Sequence, residues 1–298
     1  MTTYALLGAT GATGSSVLRC LLDDPAPELR HINILVRSKT KLLQTFPRLT
    51  DPPATSKLQI HIFEGDATSP AALMPCLTNA STILVCIGQN NSSGPTTLQT
   101  STVTALVTSL SHLRSAAQQN ESPYQPPTIL HLRSASLNPW LASHTPRLVH
   151  KTVAFCLHHT YADLGAACAL YPPAASAGLL SYIFIDPPTI HDPLGTVPTG
   201  YQLLPPSEGK ERQATALSYA DLGAAMCEVA ERAAEFAGQA VGVSATGVVK
   251  TGWRVLGGHL VGGFVGRVKG GVAKGLPLLY APMAPFFGVG VGMYGGFT

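Results

Sequence analysis

Three glycines at a fixed spacing, Gly8-Ala-Thr-Gly11-Ala-Thr-Gly14, follow a short apolar run and open an apolar-periodic segment. A GxxGxxG loop between a strand and a helix lets the backbone approach a pyrophosphate. The phosphate charge then meets the free N–H groups at the positive end of the helix. Gly8, Thr10, Gly11, Ala12, Thr13 and Gly14 are therefore the expected phosphate loop. At the end of the second strand the chain reads Val36-Arg37-Ser38-Lys39-Thr40-Lys41. An acidic residue there would bind a ribose 2′-OH, whereas cations and a hydroxyl suit a 2′-phosphate, which Arg can grip bidentately. Arg37, Ser38 and Lys39 thus point to NADP(H) rather than NAD(H). Asp66, with Ala67 beside it, ends the third strand and is placed to meet an adenine amine. Gly88 ends the fourth and falls near the nicotinamide-side ribose.

These positions are useful only if regular elements carry them to one edge of a sheet. Apolar, β-rich runs at 4–8, 32–36, 58–63, 82–87 and 128–132 alternate with helical segments at 14–22, 39–46, 71–77 and 96–118. That alternation predicts an α/β fold: a doubly wound, Rossmann-like parallel sheet covered on both faces, with a small C-terminal substrate lobe. The second half reads as one helix over 148–170, a strand over 179–185, a proline-rich loop over 186–206, a helix from Ser218 to about 236 and a last strand at 241–244. The segment 252–298 holds fourteen of the 29 glycines and reads as a small lid. The expected division is a dinucleotide-binding core over 1–178, with the remaining strands, substrate lobe and lid over 179–298 forming one structural unit with it. Tyr161-Ala-Asp-Leu-Gly-Ala-Ala recurs at 219–225, and two copies with unlike flanks read as coincidence rather than a solenoid.

Composition narrows the class. Of 298 residues, 45% are hydrophobic and 12% charged, so the chain buries surface rather than staying solvated. A net charge of +3 without a Lys/Arg run gives no footprint for nucleic acid. Six cysteines lie far apart with no CxxC, which reads as free thiols in a reducing, cytoplasmic setting rather than a disulfide scaffold or zinc site. No apolar stretch reaches the roughly 18 residues of a membrane span, so no transmembrane segment is expected.

The sequence resembles the short-chain dehydrogenase/reductase superfamily in its atypical, NmrA-like branch, and is similar to the fungal averufin-oxidase-A-like proteins of aromatic polyketide pathways. The resemblance rests on 4–17 (the glycine loop), Asn33-Ile-Leu-Val-Arg-Ser-Lys39, Ser134-Ala-Ser-Leu-Asn138 and Tyr161-Ala-Asp-Leu164. It implies a Ser after strand five, matched by Ser134 with Ser136 beside it. It also implies a Tyr-x-x-x-Lys on the next helix. Lys151 matches the Lys, but Arg147 stands at the Tyr position, and a permanently protonated guanidinium is a poor proton shuttle. His150, which titrates near neutrality, is the candidate replacement. Tyr161 lies about 15 Å further along an unbroken helix, so it can act only if that helix breaks. His158 and His159 diverge by about 100° and make a poor metal pair. His191 and Asp192, after strand six, and Trp140, Trp253 and Tyr201 are candidate walls for a flat substrate.

The resemblance implies an NADP(H)-dependent oxidoreductase acting on a small aromatic, polyketide-type molecule, with Ser134, Lys151 and His150 as its chemical set and an oligomer possible. Two other readings stand beside it: a non-redox isomerase, dehydratase or cyclase, and a non-catalytic NADP(H)-binding regulator.

Overall fold

In strand β1 (Thr2–Leu7) every residue from Thr3 onward is buried. Tyr4 and Leu6 enter one apolar cluster, Ala5 and Leu7 the other. A strand apolar on both faces must lie mid-sheet under helices on each side, and it does. In the computed structural model, which describes residues 2–23, 29–50, 58–89, 94–143, 145–206, 211–251, 260–266 and 268, β1 is flanked by β2 (Arg30–Val36) and β4 (Thr82–Val85). The eight-stranded sheet has the order β3-β2-β1-β4-β5-β6-β10-β8. The remaining strands are β3 (Leu58–Glu64), β5 (Thr128–Leu132), β6 (Ser181–Asp186), β8 (Tyr201–Leu204) and β10 (Ala240–Ala245). All pairings are parallel except β10 with β8. The strand order reverses between β1 and β4, and the crevice at their carboxyl ends is where this architecture binds ligands.

Helices α1 (Ala12–Asp23) and α9 (Tyr219–Glu231) cover one face. Their contact is close: a Cβ on Gly223 would come within 2.7 Å of the Ser16 backbone. The other face carries α3 (Pro70–Leu77), α4 (Leu98–Gln119) and α7 (His158–Cys168).

The structure departs from the sequence expectations in two places. The segment expected as one helix is two, α6 (Arg147–Cys156) and α7, parted at Leu157 with φ −98° and ψ 19°. The proline-rich stretch also holds two strands, β8 and the three-residue β7 (Thr189–His191), which pairs in parallel with β9 (Ala216–Ser218). Most of the glycine-rich tail, and Trp253, lie outside the described residues, as does most of the lid expectation. Residues 260–266 are helical. Leu260 packs on Val153, Leu157 and Tyr161, and the Phe264 ring sits 5.8 Å from that of Phe155. Among the described residues no helix is long and apolar enough to cross a membrane.

His131 on β5 is fully buried, its Nδ1 2.8 Å from the Tyr171 hydroxyl. Burial, aided by the nearby Arg133 cation, lowers its pKa to about 3. Between that value and the unfolded one near 6.5, the unfolded chain binds more protons, so stability rises with pH and is lost on acidification. Going from neutral pH to pH 5 should cost about 2 kcal/mol through this group alone. Urea melts of wild type and His131→Gln at the two pH values check this: the variant should show a shallower pH dependence.

Candidate functional site

The glycine loop takes its shape from β1 and α1. Gly8 has φ +91°, a left-handed conformation that glycine adopts without strain. A Cβ there would also lie 2.7 Å from the Cys86 carbonyl oxygen, at the end of β4. A Cβ on Gly14 would overlap the Gly8 carbonyl. The turn closes through the Gly11 N–H donating to the Gly8 carbonyl at 3.0 Å, and α1 begins with the Ser15 N–H donating to the Gly11 carbonyl at 2.8 Å. The N–H groups at the start of α1 therefore point out of the helix. Thr13 Oγ1 is buried without a protein partner, so a hydroxyl also stands ready at this end.

A cleft of about 940 Å³, part of it open to solvent, runs over the loop. Gly8, Thr10, Gly11, Ala12 and Thr13 form its floor, Arg37, Lys41, Asp66 and Ala67 one end, and Ile87, Gly88 and Leu98 the other. Among the sequence candidates beside Arg37, Ser38 is used to cap α2 (Lys39–Thr45), accepting the Lys41 N–H at 3.3 Å. The Lys39 backbone N–H donates to Glu64 Oε2 at 3.0 Å. Lys41, two residues on, lines the cleft with Arg37. Asp66 accepts from the amide and hydroxyl of Thr68 at 2.8 and 2.9 Å. Those bonds, and more weakly the Arg37 charge, hold its carboxyl below the usual range, so it is ionised. A loop of outward N–H groups, two glycines at which a Cβ would clash and two cations at one end fit a dinucleotide phosphate chain. Gly14→Ala should cost about 1–3 kcal/mol by overpacking, seen in a thermal melt. It should also weaken dinucleotide binding about tenfold or more, as loss of charge-assisted contacts would.

A second group gathers at the end of β5. Ser134 accepts the Ser136 N–H at 3.2 Å, starting a short 3₁₀ turn over Ala135–Leu137. Ser136 Oγ lies 2.8 Å from the Tyr161 hydroxyl. Ser134, Ser136 and Tyr161 are all buried. Burial pushes the Tyr161 phenol up while the Ser136 and Ser134 hydroxyls pull it down, leaving it raised and hence protonated at neutral pH. The break at Leu157 makes this possible. No Pro or Gly marks it in the sequence. The backbone of Gly263 comes so close to the Cys156 carbonyl that a Cβ there would overlap it. Thr160 also reaches from the start of α7 to the Gln89 carbonyl at 3.3 Å.

The turn itself is anchored from β6. Arg133 grips the fully buried Asp186 bidentately, at 2.7 and 2.5 Å. Asn138 donates to the same carboxylate at 2.8 Å, and Ala135 N–H donates to the Pro187 carbonyl at 3.0 Å. Arg133 also stacks over the Phe184 ring at 4.6 Å. Asn138 closes the Ser134–Asn138 motif, but nothing in the sequence pattern tied Arg133 or Asn138 to Asp186, about 50 residues away.

Of the other candidates, Arg147 and Lys151 are exposed on α6. The buried face of that helix is His150, Val153 and Ala154, which turns Lys151 outward. The structure thus joins Ser134 to Tyr161 and leaves Lys151 in solvent. Burial holds His150 and His191 below the usual histidine range. Among the described residues no set of three His, Cys, Asp or Glu is placed to hold a metal ion.

Averufin oxidase A of Aspergillus flavus is 52% identical over 274 residues, 92% of this chain and 93% of its own. The chain belongs to the averufin oxidase A family. Averufin oxidase stcO of Emericella nidulans, another member, is 50% identical over 275 residues, 90% of each chain. No family model matches the chain. Among solved structures, a short-chain dehydrogenase/reductase from Veillonella parvula in complex with NADP shares the fold at TM-score 0.53 and 16% identity. It covers 83% of this chain and 95% of its own. For this averufin oxidase A family member the likeness places the glycine cleft within a Rossmann-type fold.

Proposed function

We propose that the protein is an NADP(H)-dependent oxidoreductase acting on a small aromatic polyketide of the kind its relatives are named for, averufin. One observation carries the reading: the cleft at the strand switch point joins the glycine loop, where a Cβ on Gly8 or Gly14 would clash with backbone, to the Arg37 and Lys41 cations. When bound, NADP(H) supplies or accepts a hydride at its nicotinamide ring. The N–H groups opening α1 and the Thr13 hydroxyl would hold the pyrophosphate, Arg37 and Lys41 the 2′-phosphate, and Asp66 the adenine amine. Gly88 lines the end of the cleft assigned to the nicotinamide-side ribose. In the reducing direction the proton accompanying the hydride would come from Tyr161, kept protonated by burial and oriented by Ser136 and Ser134. Those three residues are favoured over the Ser134, Lys151 and His150 set because Lys151 is exposed. Six free cysteines support a reducing, cytoplasmic setting.

The test is to incubate pure protein with averufin and NADPH or NADP⁺, following nicotinamide absorbance and product mass. A product differing by two hydrogens, formed in step with cofactor turnover, is expected. A product of unchanged mass, or lighter by one water, with no cofactor turnover would replace this reading with the isomerase or dehydratase one.

A further inference from the structure

Six cysteines are spread through the chain, and the fold brings two of them together. Helices α1 and α9 each lead into a strand of the parallel sheet, β2 and β10, and so run in the same direction. They meet at Gly223, where the missing side chain lets the two backbones approach at Ser16. One helical turn further along each lie Cys227 and Cys20. The Cys227 thiol donates to the Val17 carbonyl of α1 at 3.8 Å, and it lies within hydrogen-bond reach of the Cys20 sulfur. A disulfide needs its two Cα atoms within about 7 Å, closer than the usual spacing of about 8–10 Å between packed helix axes. The bare backbone at Gly223 allows such an approach.

The six differ in what an oxidant can reach. Cys20 is partly exposed, and the other five are buried. Burial pushes the Cys76, Cys86 and Cys168 thiols up to about 12. The hydrogen bond to Cys20 and burial together raise Cys227. The thiolate is the reactive form, so these thiols are inert towards an oxidant in solution, and Cys20 meets it first. Cys227, held beside it, is then the thiol placed to react with whatever forms on Cys20.

We propose that Cys20 and Cys227 form an oxidation site for hydroperoxides, at which a disulfide staples α1 to α9. The Cys20 sulfur attacks the O–O bond of hydrogen peroxide, giving a sulfenic acid and one water. The Cys227 sulfur then attacks the sulfenic sulfur. The S–O bond breaks, the S–S bond forms and a second water leaves. Two thiols are oxidised, one peroxide is reduced, and both thiol protons end in water. In a reducing setting the pair rests as thiols, and the link forms when peroxide rises. It closes a loop over most of the chain and so constrains the unfolded state strongly. Neither cysteine lines the glycine cleft, so this site is separate from the one assigned to the dinucleotide.

The experiment uses the full chain, reduced, desalted and exposed to hydrogen peroxide, then denatured in excess N-ethylmaleimide. The intact mass should show four alkylated thiols instead of six, and a digest should hold one cross-linked peptide joining Cys20 to Cys227. The oxidised protein should melt about 5 °C or more above the reduced one and return to the starting midpoint with dithiothreitol. After the same exposure Cys20→Ser should keep its five remaining thiols labelled. Cys227→Ser should trap the sulfenic acid on Cys20, captured as a dimedone adduct. Six labelled thiols after oxidation, a link between any other pair, or a linked form that melts lower overturns the proposal. So does a Cys20→Ser protein that still loses two thiols.

Discussion

Tyr161→Phe should lower kcat about 100-fold to 10,000-fold, the usual contribution of a positioned proton donor. Its hydroxyl lies 2.8 Å from Ser136 Oγ, and burial keeps the phenol protonated. The ring packs with Val153, Leu157 and Leu260, and phenylalanine retains that packing. Stability should therefore fall by only about 1 kcal/mol, the net worth of one hydrogen bond. NADPH affinity should hold, since Tyr161 is no part of the glycine cleft wall. Turnover with averufin, a denaturant melt and an NADPH titration on one preparation separate these effects. A Tyr161→Phe protein with near wild-type kcat would return the proton step to His150.

Arg133→Met should destabilise the protein by about 3–5 kcal/mol, because it leaves the Asp186 carboxylate buried without its cation. Asp186 is fully buried, and Asn138 is then its remaining side-chain donor. The Ser134–Ser136 turn hangs on the same carboxylate, so kcat should drop as well. Adding Asp186→Asn removes the stranded charge and should recover much of the stability without restoring the turn. Denaturant midpoints of the wild type, the single variant and the double variant decide it. A double variant no more stable than Arg133→Met would show that the ion pair is not what holds this region.

The parts of the site that could be read from the sequence are those set by neighbours in the chain. Gly8, Gly11 and Gly14 lie within seven residues, and the strand before them and helix after them are strongly periodic. The cations after β2 were legible for the same reason, although only the helix geometry decides that Lys41 rather than Lys39 lines the cleft. The Ser136–Tyr161 contact was hidden because the break at Leu157 has no local signature. Gly263, over 100 residues later, packs against the Cys156 carbonyl at this break. The strands β7 and β9, three residues each, are too short to carry a period-2 pattern and exist by pairing with one another. Arg133 and Asp186 end adjacent strands far apart in sequence and announce themselves only in three dimensions.

The repeated heptapeptide also changes meaning. Asp163 accepts the N–H groups of Gln99 and Thr100 and the Thr100 hydroxyl. Asp221 accepts those of Thr199 and Gly200 and the Thr199 hydroxyl. Both aspartates are buried in a helix and tie down the backbone of a neighbouring segment. The two copies, at 161–167 and 219–225, thus use their aspartate in a similar way.

Calorimetric titration of the wild type and Arg37→Ala with NADPH, NADP⁺, NADH and NAD⁺ addresses the glycine cleft most directly. The expected result is tighter binding of the phosphorylated dinucleotides, weakened in Arg37→Ala by about 1.5–3 kcal/mol, the worth of a charge-assisted contact, with NADH little changed. Absence of binding by all four, or equal binding of NADH and NADPH untouched by the substitution, would contradict the assignment of the cleft to NADP(H).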